Sequence, residues 1–146
     1  MPWSRLGEPR PPEWRGRPPQ MLSQDVPVWH SWLERAEPRI ENIYYNVALT
    51  TNEAPAGFNE GVVNNWLYSV SKRIDALVVW KDKSLTIVEV CQKAGLRAVG
   101  QAVSYKYLWN VLKPLPGENN SLIVCIYADA DVKAVAAHHN ITITEI

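Results

Sequence analysis

Residues 73–91 read RIDALVVWKDKSLTIVEVC. Two apolar, β-branched runs, Arg73–Trp80 and Leu85–Cys91, flank the polar tetrapeptide Lys81-Asp82-Lys83-Ser84, which predicts two strands joined as an antiparallel hairpin. Each run is interrupted once by an acid, Asp75 in the first and Glu89 in the second. An unpaired carboxylate is costly to bury, so each must reach water at a strand end, meet a cation or bind a metal ion. One such residue alone signals little. Two on paired strands bring their charges together.

Working outward toward the C-terminus, Gly95 starts a connection into a helix from about Ala98 to Leu112, closed by Pro114 and Pro116. That helix carries Gln101 and Tyr105 one turn apart. Leu122–Ala128 is nearly all apolar, as a strand buried on both faces should be. Asp129 or Asp131 caps a short helix through His138, and Ile141–Ile146 alternates as a last strand. His138 and His139 are neighbours that point about 100° apart on a helix, so they do not form a chelating pair. Toward the N-terminus, Ile43–Leu49 reads as a strand. Thr50–Ser71, with Pro55, Gly57 and Gly61, reads as an irregular connection with one helical turn around Val62–Leu67. Asp25 is placed to cap a helix in which Val28, Trp32 and Ala36 share a face with Trp29 and Leu33 beside them, ending by Pro38. Residues 28–146 therefore form a single α/β domain in the order helix, three strands, helix, strand, helix, strand.

Residues 1–27 differ in kind. They hold seven of the eleven prolines and four arginines. Proline fixes φ and removes backbone donors, so an extended, polyproline-like arm is expected. Trp3 and Trp14, set among Arg5, Arg10, Arg15 and Arg17, are anchors for a partner protein surface, or less readily for stacking on single-stranded bases. Trp29, Trp32, Trp66, Trp80 and Trp109 fall on periodic or apolar segments and are expected in the core and its rim.

The 146 residues, 47% hydrophobic, suffice for one domain that buries roughly two-thirds of its unfolded surface. Fifteen basic and fifteen acidic side chains cancel, so no global field draws the chain to DNA or an anionic membrane, and phosphate contacts require local clustering. Cys91 and Cys125 lie in apolar runs and read as buried thiols of a reducing compartment. No apolar run approaches the ~18 residues of a membrane span, and residues 1–25 lack the apolar stretch of a signal peptide. An intracellular location, or assembly there, is expected, away from membranes.

Asp75, Glu89 and the Gln101-x-x-x-Tyr105 pair together resemble the PD-(D/E)XK nuclease superfamily, in the branch with a Gln-x-x-x-Tyr helix found in recombination-helicase nuclease domains and phage exonucleases. The resemblance covers Arg73 to Ala128 and implies a restriction-endonuclease-like core, a mixed central sheet flanked by helices. It also implies that Asp75 and Glu89 hold Mg²⁺ while Gln101 and Tyr105 position the phosphate or base. Mg²⁺ suits oxygen ligands and neutralises charge at the attacking and leaving oxygens. The family's lysine, two residues after the glutamate, is Cys91 here. Strand alternation would put Lys93 on the same face, about 7 Å further along. Short phage proteins of this kind often carry an acid on the first strand, where Asn46 stands.

Two functions are implied by the resemblance. One is a non-catalytic structural protein of a phage particle, of the neck, head-to-tail connector or adaptor type. Its arm would bind other virion proteins or copies of itself, with DNA as a further partner and no cofactor. The alternative is a Mg²⁺-dependent DNA nuclease, endo- or exonucleolytic, that uses Asp75, Glu89, Gln101, Tyr105 and a displaced Lys93. Binding of nucleic acid without cleavage is disfavoured by the neutral net charge.

Overall fold

The structure, a computed structural model, describes residues 3–146. The chain opens with β1 (Trp3–Arg5), α1 (Val26–Ala36), a 3₁₀ turn over Glu37–Arg39, β2 (Ile40–Thr50) and α2 (Glu60–Val70). The hairpin comes next as β3 (Lys72–Trp80) and β4 (Leu85–Val90), then β5 (Lys93–Ala94) and α3 (Leu96–Leu112). The last elements are β6 (Asn119–Cys125), β7 (Tyr127–Ala128), α4 (Ala130–His138) and β8 (Ile141–Glu145).

Six strands form one mixed sheet in the order β1-β2-β3-β4-β6-β8. The pairs from β1 to β4 are antiparallel, whereas β4, β6 and β8 run parallel. Parallel neighbours need long crossovers, and α3 and α4 supply them. Both therefore cover one face of the sheet, and α1 covers the other. Adjacent residues of the central strands divide accordingly: Val78, Val88 and Val124 pack with α1, while Leu77 and Ile87 pack with Tyr105 and Trp109 of α3. Ile123 and Cys125 pack on the N-terminal half of α3 and on α4. A strand buried on both faces must be apolar throughout, which is why LIVC reads as it does.

The α1 side is anchored by Trp29, fully buried, which stacks on Trp32 at 5.1 Å between ring centroids. Its indole N–H donates to the Tyr45 hydroxyl at 2.9 Å, so the one polar group of the ring is satisfied inside the core. Burial pushes the Tyr45 hydroxyl up to about 12.

Several sequence expectations change. Residues 60–70, expected as a connection with one helical turn, form a full helix started by Asn59, whose side chain accepts from the Val62 N–H at 2.9 Å. Only Leu67 of that helix is buried, so its apolar periodicity is too weak to mark it. Trp66 is accordingly only half-buried and belongs to no core cluster. The strand read as Leu122–Ala128 ends at Cys125, because Ile126 and Tyr127 both donate to the Gln92 carbonyl and redirect the chain into β7.

The proline-rich segment, expected as an extended arm, lies on its own domain from Trp3 onward. It is extended in β1 and then broken by turns in which the Trp14, Met21 and Asp25 N–H groups donate to the carbonyls of Pro11, Pro18 and Leu22. β1 pairs with β2 through Trp3↔Thr50, Ser4↔Leu49 and Arg5↔Ala48. Arg10 and Ile43 then exchange both backbone hydrogen bonds, at 2.8 and 2.9 Å. Trp14 rests against Tyr45, Arg15 pairs with Glu37 at 3.1 Å, and Met21 is buried in the α1 core.

The sheet is irregular around Asn46. Tyr45 packs with α1, but Val47, two residues on, packs with α3. In an unbroken strand they would share a face. Between them Asn46 has φ +52°, a left-handed conformation that asparagine tolerates better than other non-glycine residues. The partner strand slips at the matching place: Ile74 and Leu77 share the α3 face while Ala76 lies on the other. The β2/β3 ladder pairs Tyr45 with Ala76 and Val47 with Ile74, which sets Asn46 across from Asp75.

Replacing Trp29 with alanine should cost about 3–5 kcal/mol, the range for truncating a buried aromatic. Urea unfolding should show this as a lower midpoint with an unchanged slope.

Candidate active site

The β3/β4 ladder runs from Val79↔Leu85 to Ala76↔Val88 and stops there. The next facing residues are Asp75 and Glu89. Buried backbone N–H groups need acceptors, and here the two carboxylates replace the missing carbonyls. Asp75 Oδ2 accepts from the Val90 N–H at 2.9 Å, and Glu89 Oε1 accepts weakly from the Asp75 N–H at 3.4 Å. On its other edge Glu89 stays in register with Ile123 of β6. The strands splay at this point, and the acids are fixed by the backbone they satisfy.

Glu89 is only 6% exposed. Burial, and then the charge of Asp75, raise its carboxyl well above the usual range. Burial also raises Asp75, with the Val90 N–H opposing the shift. Among the described residues no ion pair joins either acid. At neutral pH the pair therefore favours holding a proton or taking up a cation.

Around the acids lies a cleft of about 550 Å³ lined by Asp25, Cys91, Lys93, Arg97 and Gln101. Cys91, which continues β4 by donating its N–H to the Val124 carbonyl, is half-buried, less enclosed than the sequence suggests. Burial, then Cys125, Asp25 and the two acids, push its thiol up to about 12, so it is neutral. Lys93 does not lie on a continuation of β4. That strand ends at Val90, a bend intervenes at Gln92, and Lys93 belongs to β5, paired to Tyr127. The alternation that placed it two steps beyond Glu89 fails because the strand breaks, yet its exposed side chain still borders the cleft.

Tyr105 is buried on α3, and Gln101 lies one turn earlier on the same helix. Burial and then the charges of Glu89 and Asp75 push its hydroxyl up to about 12, while Gln101 and Arg97 oppose the shift. Gln101 thus lines the cleft with Asp75 and Glu89, and Tyr105 lies near enough to feel their charges. The spacing continues backwards to Arg97, another four residues upstream, which sequence reasoning passed over although the same i, i+4 rule reaches it.

Asp25 is the other addition. It occupies the N-cap position of α1, but its side chain makes no capping bond. The carboxyl is instead buried in the cleft, where burial raises its pKa and its charge acts on Asp75 and Cys91. An aspartate before a helix is so regular a cap signal that the sequence offered no reason to read it otherwise.

The N-terminal anchors are mostly engaged within the chain. Trp14 and Arg15 meet Tyr45 and Glu37, and the Arg17 Nε–H donates to the Met21 carbonyl at 3.1 Å. Trp3 is half-buried in β1. Arg5 and Arg10 are exposed. His138 and His139 stack edge-on at the end of α4, away from the cleft.

The donor set fits Mg²⁺. This ion is ordinarily held by one or two carboxylates with several waters completing its shell, and Asp75 Oδ1 and Glu89 Oε2 accept no hydrogen bond from the described residues. Among those residues no group of three or more His, Cys, Asp or Glu is arranged to hold an ion.

No family model and no curated protein matches the chain. Among solved structures, the chain is similar to the crystal structure of a repair endonuclease from Pyrococcus abyssi, with a TM-score of 0.52 over 90% of this chain at 17% identity. The core has a restriction-endonuclease-like fold. A second structure, EndoMS in complex with double-stranded DNA, matches over 68% of the chain with a TM-score of 0.44 and 13% identity. The chain spans about half the length of each neighbour, 49% and 51%. Among the described residues no helix is long and apolar enough to cross a membrane.

The raised acids have a defined pH signature. A carboxyl whose pKa is higher folded than unfolded contributes stability that is complete below its unfolded value, near 4.5 for glutamate, and that is lost as pH rises through the folded value. The melting temperature of metal-free Glu89→Gln should therefore gain on wild type as pH rises from about 4.5 to neutrality. Circular dichroism melts across that range check it, and a difference independent of pH would refute the assignment. Mg²⁺ or Mn²⁺ at about 100 times its Kd should stabilise wild type by about 2.7 kcal/mol and leave the variant unmoved.

Proposed function

We propose that this chain is a divalent-metal-dependent phosphodiesterase that acts on DNA. The observation that carries the reading is the convergence of Asp75 and Glu89, two buried acids without a cationic partner, beside Gln101 and Tyr105. Neither carboxylate has an ion-pair partner among the described residues, and a bound divalent ion would offset the cost of their buried charges.

Asp75 and Glu89 would be the ligands. A bound Mg²⁺ supplies Lewis-acid polarisation of the phosphoryl oxygen and a more acidic water. The chain supplies the rest. Val90 and Asp75 backbone N–H groups fix the carboxylates, so no reorganisation is needed when substrate arrives. Gln101 lines the cleft, and its amide can orient a phosphate oxygen. Lys93 and Arg97 are the cationic side chains that line the same cleft, and they balance charge on the phosphoryl group in place of the lysine that the family carries two residues after the glutamate.

A second reading keeps the fold and drops the chemistry: a structural protein of a phage particle. Cys91 favours it, because a neutral, half-buried thiol stands where the resemblance expects a fixed positive charge. In that case the N-terminal segment is part of the fold as well as an assembly element, since Trp14 and Met21 contribute to the α1 core.

Cys91→Lys separates the two. If the site is catalytic, Mg²⁺-dependent cleavage of linear or single-stranded DNA should rise by roughly 10²–10³ on restoring a preorganised charge, and Asp75→Asn should abolish cleavage in both backgrounds. Wild type and Cys91→Lys that both bind Mg²⁺ yet leave DNA intact would establish the non-catalytic reading instead.

A further inference from the structure

β2 is held by the N-terminal segment at two places. Trp3–Arg5 pair with Ala48–Thr50, and Arg10 pairs with Ile43. Between these attachments the chain bows away from the strand, helped by Gly7, whose φ of +75° suits glycine. The bow leaves a depression of about 280 Å³ whose walls include Arg5, Arg10, Tyr45, Asn46 and Tyr68. This opening adjoins the carboxylate cleft. Pro19 lines the one and Gln20 the other, and Asn46 sits across the sheet from Asp75.

The polar groups here are set in place before any ligand arrives. The Asn46 amide donates to the Tyr68 hydroxyl at 2.9 Å. The Tyr68 ring lies under two guanidinium groups, Arg73 at 3.6 Å and Arg5 at 5.2 Å from its centroid. Arg73 is committed to the Tyr68 carbonyl and to Ser71. Arg10 stacks over Trp14 at 4.5 Å. Arg5 and Arg10, by contrast, have no carboxylate partner among the described residues. A guanidinium ordered on an aromatic ring, with its N–H fork unspent, is suited to a phosphate. Glu8, exposed on the same wall, is the one opposing charge.

We infer that this depression is a phosphate subsite in which Arg5 and Arg10 hold the backbone of a DNA strand that continues into the Asp75/Glu89 cleft. The inference rests on the DNA reading proposed above and adds how the strand is held. It also resolves the neutral net charge, since the attraction is local. Of the arginines in the N-terminal segment, Arg15 and Arg17 are already bonded within the protein, and the open pair, Arg5 and Arg10, lines the depression.

The test is binding rather than cleavage. Fluorescence anisotropy with a labelled single-stranded oligonucleotide, on the full chain in EDTA, reports affinity as salt is varied while no metal-dependent cutting can occur. Arg5→Gln with Arg10→Gln should weaken binding irrespective of base sequence and reduce the slope of log affinity against log salt by roughly 1.4, about 0.7 for each lost phosphate contact. Both side chains are exposed and their backbone pairings remain, so circular dichroism should show the variant folded. Glu8→Gln should shift affinity the other way. An unchanged slope in the double variant overturns the subsite, as does a wild-type chain that binds no DNA. Stabilisation by millimolar inorganic phosphate without DNA binding would overturn it in favour of a small-anion site. Cleavage governed by Asp75 and Glu89 is scored in a separate assay, so either idea can fail alone.

Discussion

The structure depends on a local failure of β-pairing that two acids repair. At the end of the β3/β4 ladder the strands separate, and the Val90 and Asp75 N–H groups are left facing carboxylates. Backbone donors in a sheet interior tolerate no vacancy, so Asp75 and Glu89 are structural before they are chemical. The same bonds that close the ladder hold the acids rigid, close together and poorly hydrated. Their affinity for a proton or a cation is a result of that position.

Everything around the pair conforms to the break. The strand faces exchange at Asn46 and at Asp75. α3 lays Arg97, Gln101 and Tyr105 along one line beside Glu89, and the N-terminus of α1 brings Asp25 in from the other layer. Cys91 is held by Val124 directly after the pair, where burial and the neighbouring acids keep its thiol protonated.

The hairpin and its acids were legible because both signals are local: alternation sets the strands, and a carboxylate in an apolar run is visible without partners. Gln101 and Tyr105 were legible for the same reason, through helical spacing. What escaped the sequence depended on tertiary context. Lys93 was placed by an alternation that the bend at Gln92 interrupts. Asp25 carries a cap signal and serves a different purpose. Asn46 invited reading as a lost acid; the sequence could not show that its amide bonds Tyr68 or that its left-handed backbone exchanges the faces of the strand. α2 buries a single residue, which is too little periodicity to announce a helix.

The short β1 also bears on the exposed border of the sheet. Without it, the eleven residues of β2 would present a long, apolar outer edge with free N–H and C=O groups, a template for intermolecular strand addition. Three paired residues and the bridge at Arg10 occupy that edge, and Pro9, Pro11 and Pro12 between and beyond them have no N–H with which to extend a ladder. The proline-rich segment is therefore a hem on the sheet: it covers the β2 border with a short strand and with prolines that cannot extend a ladder.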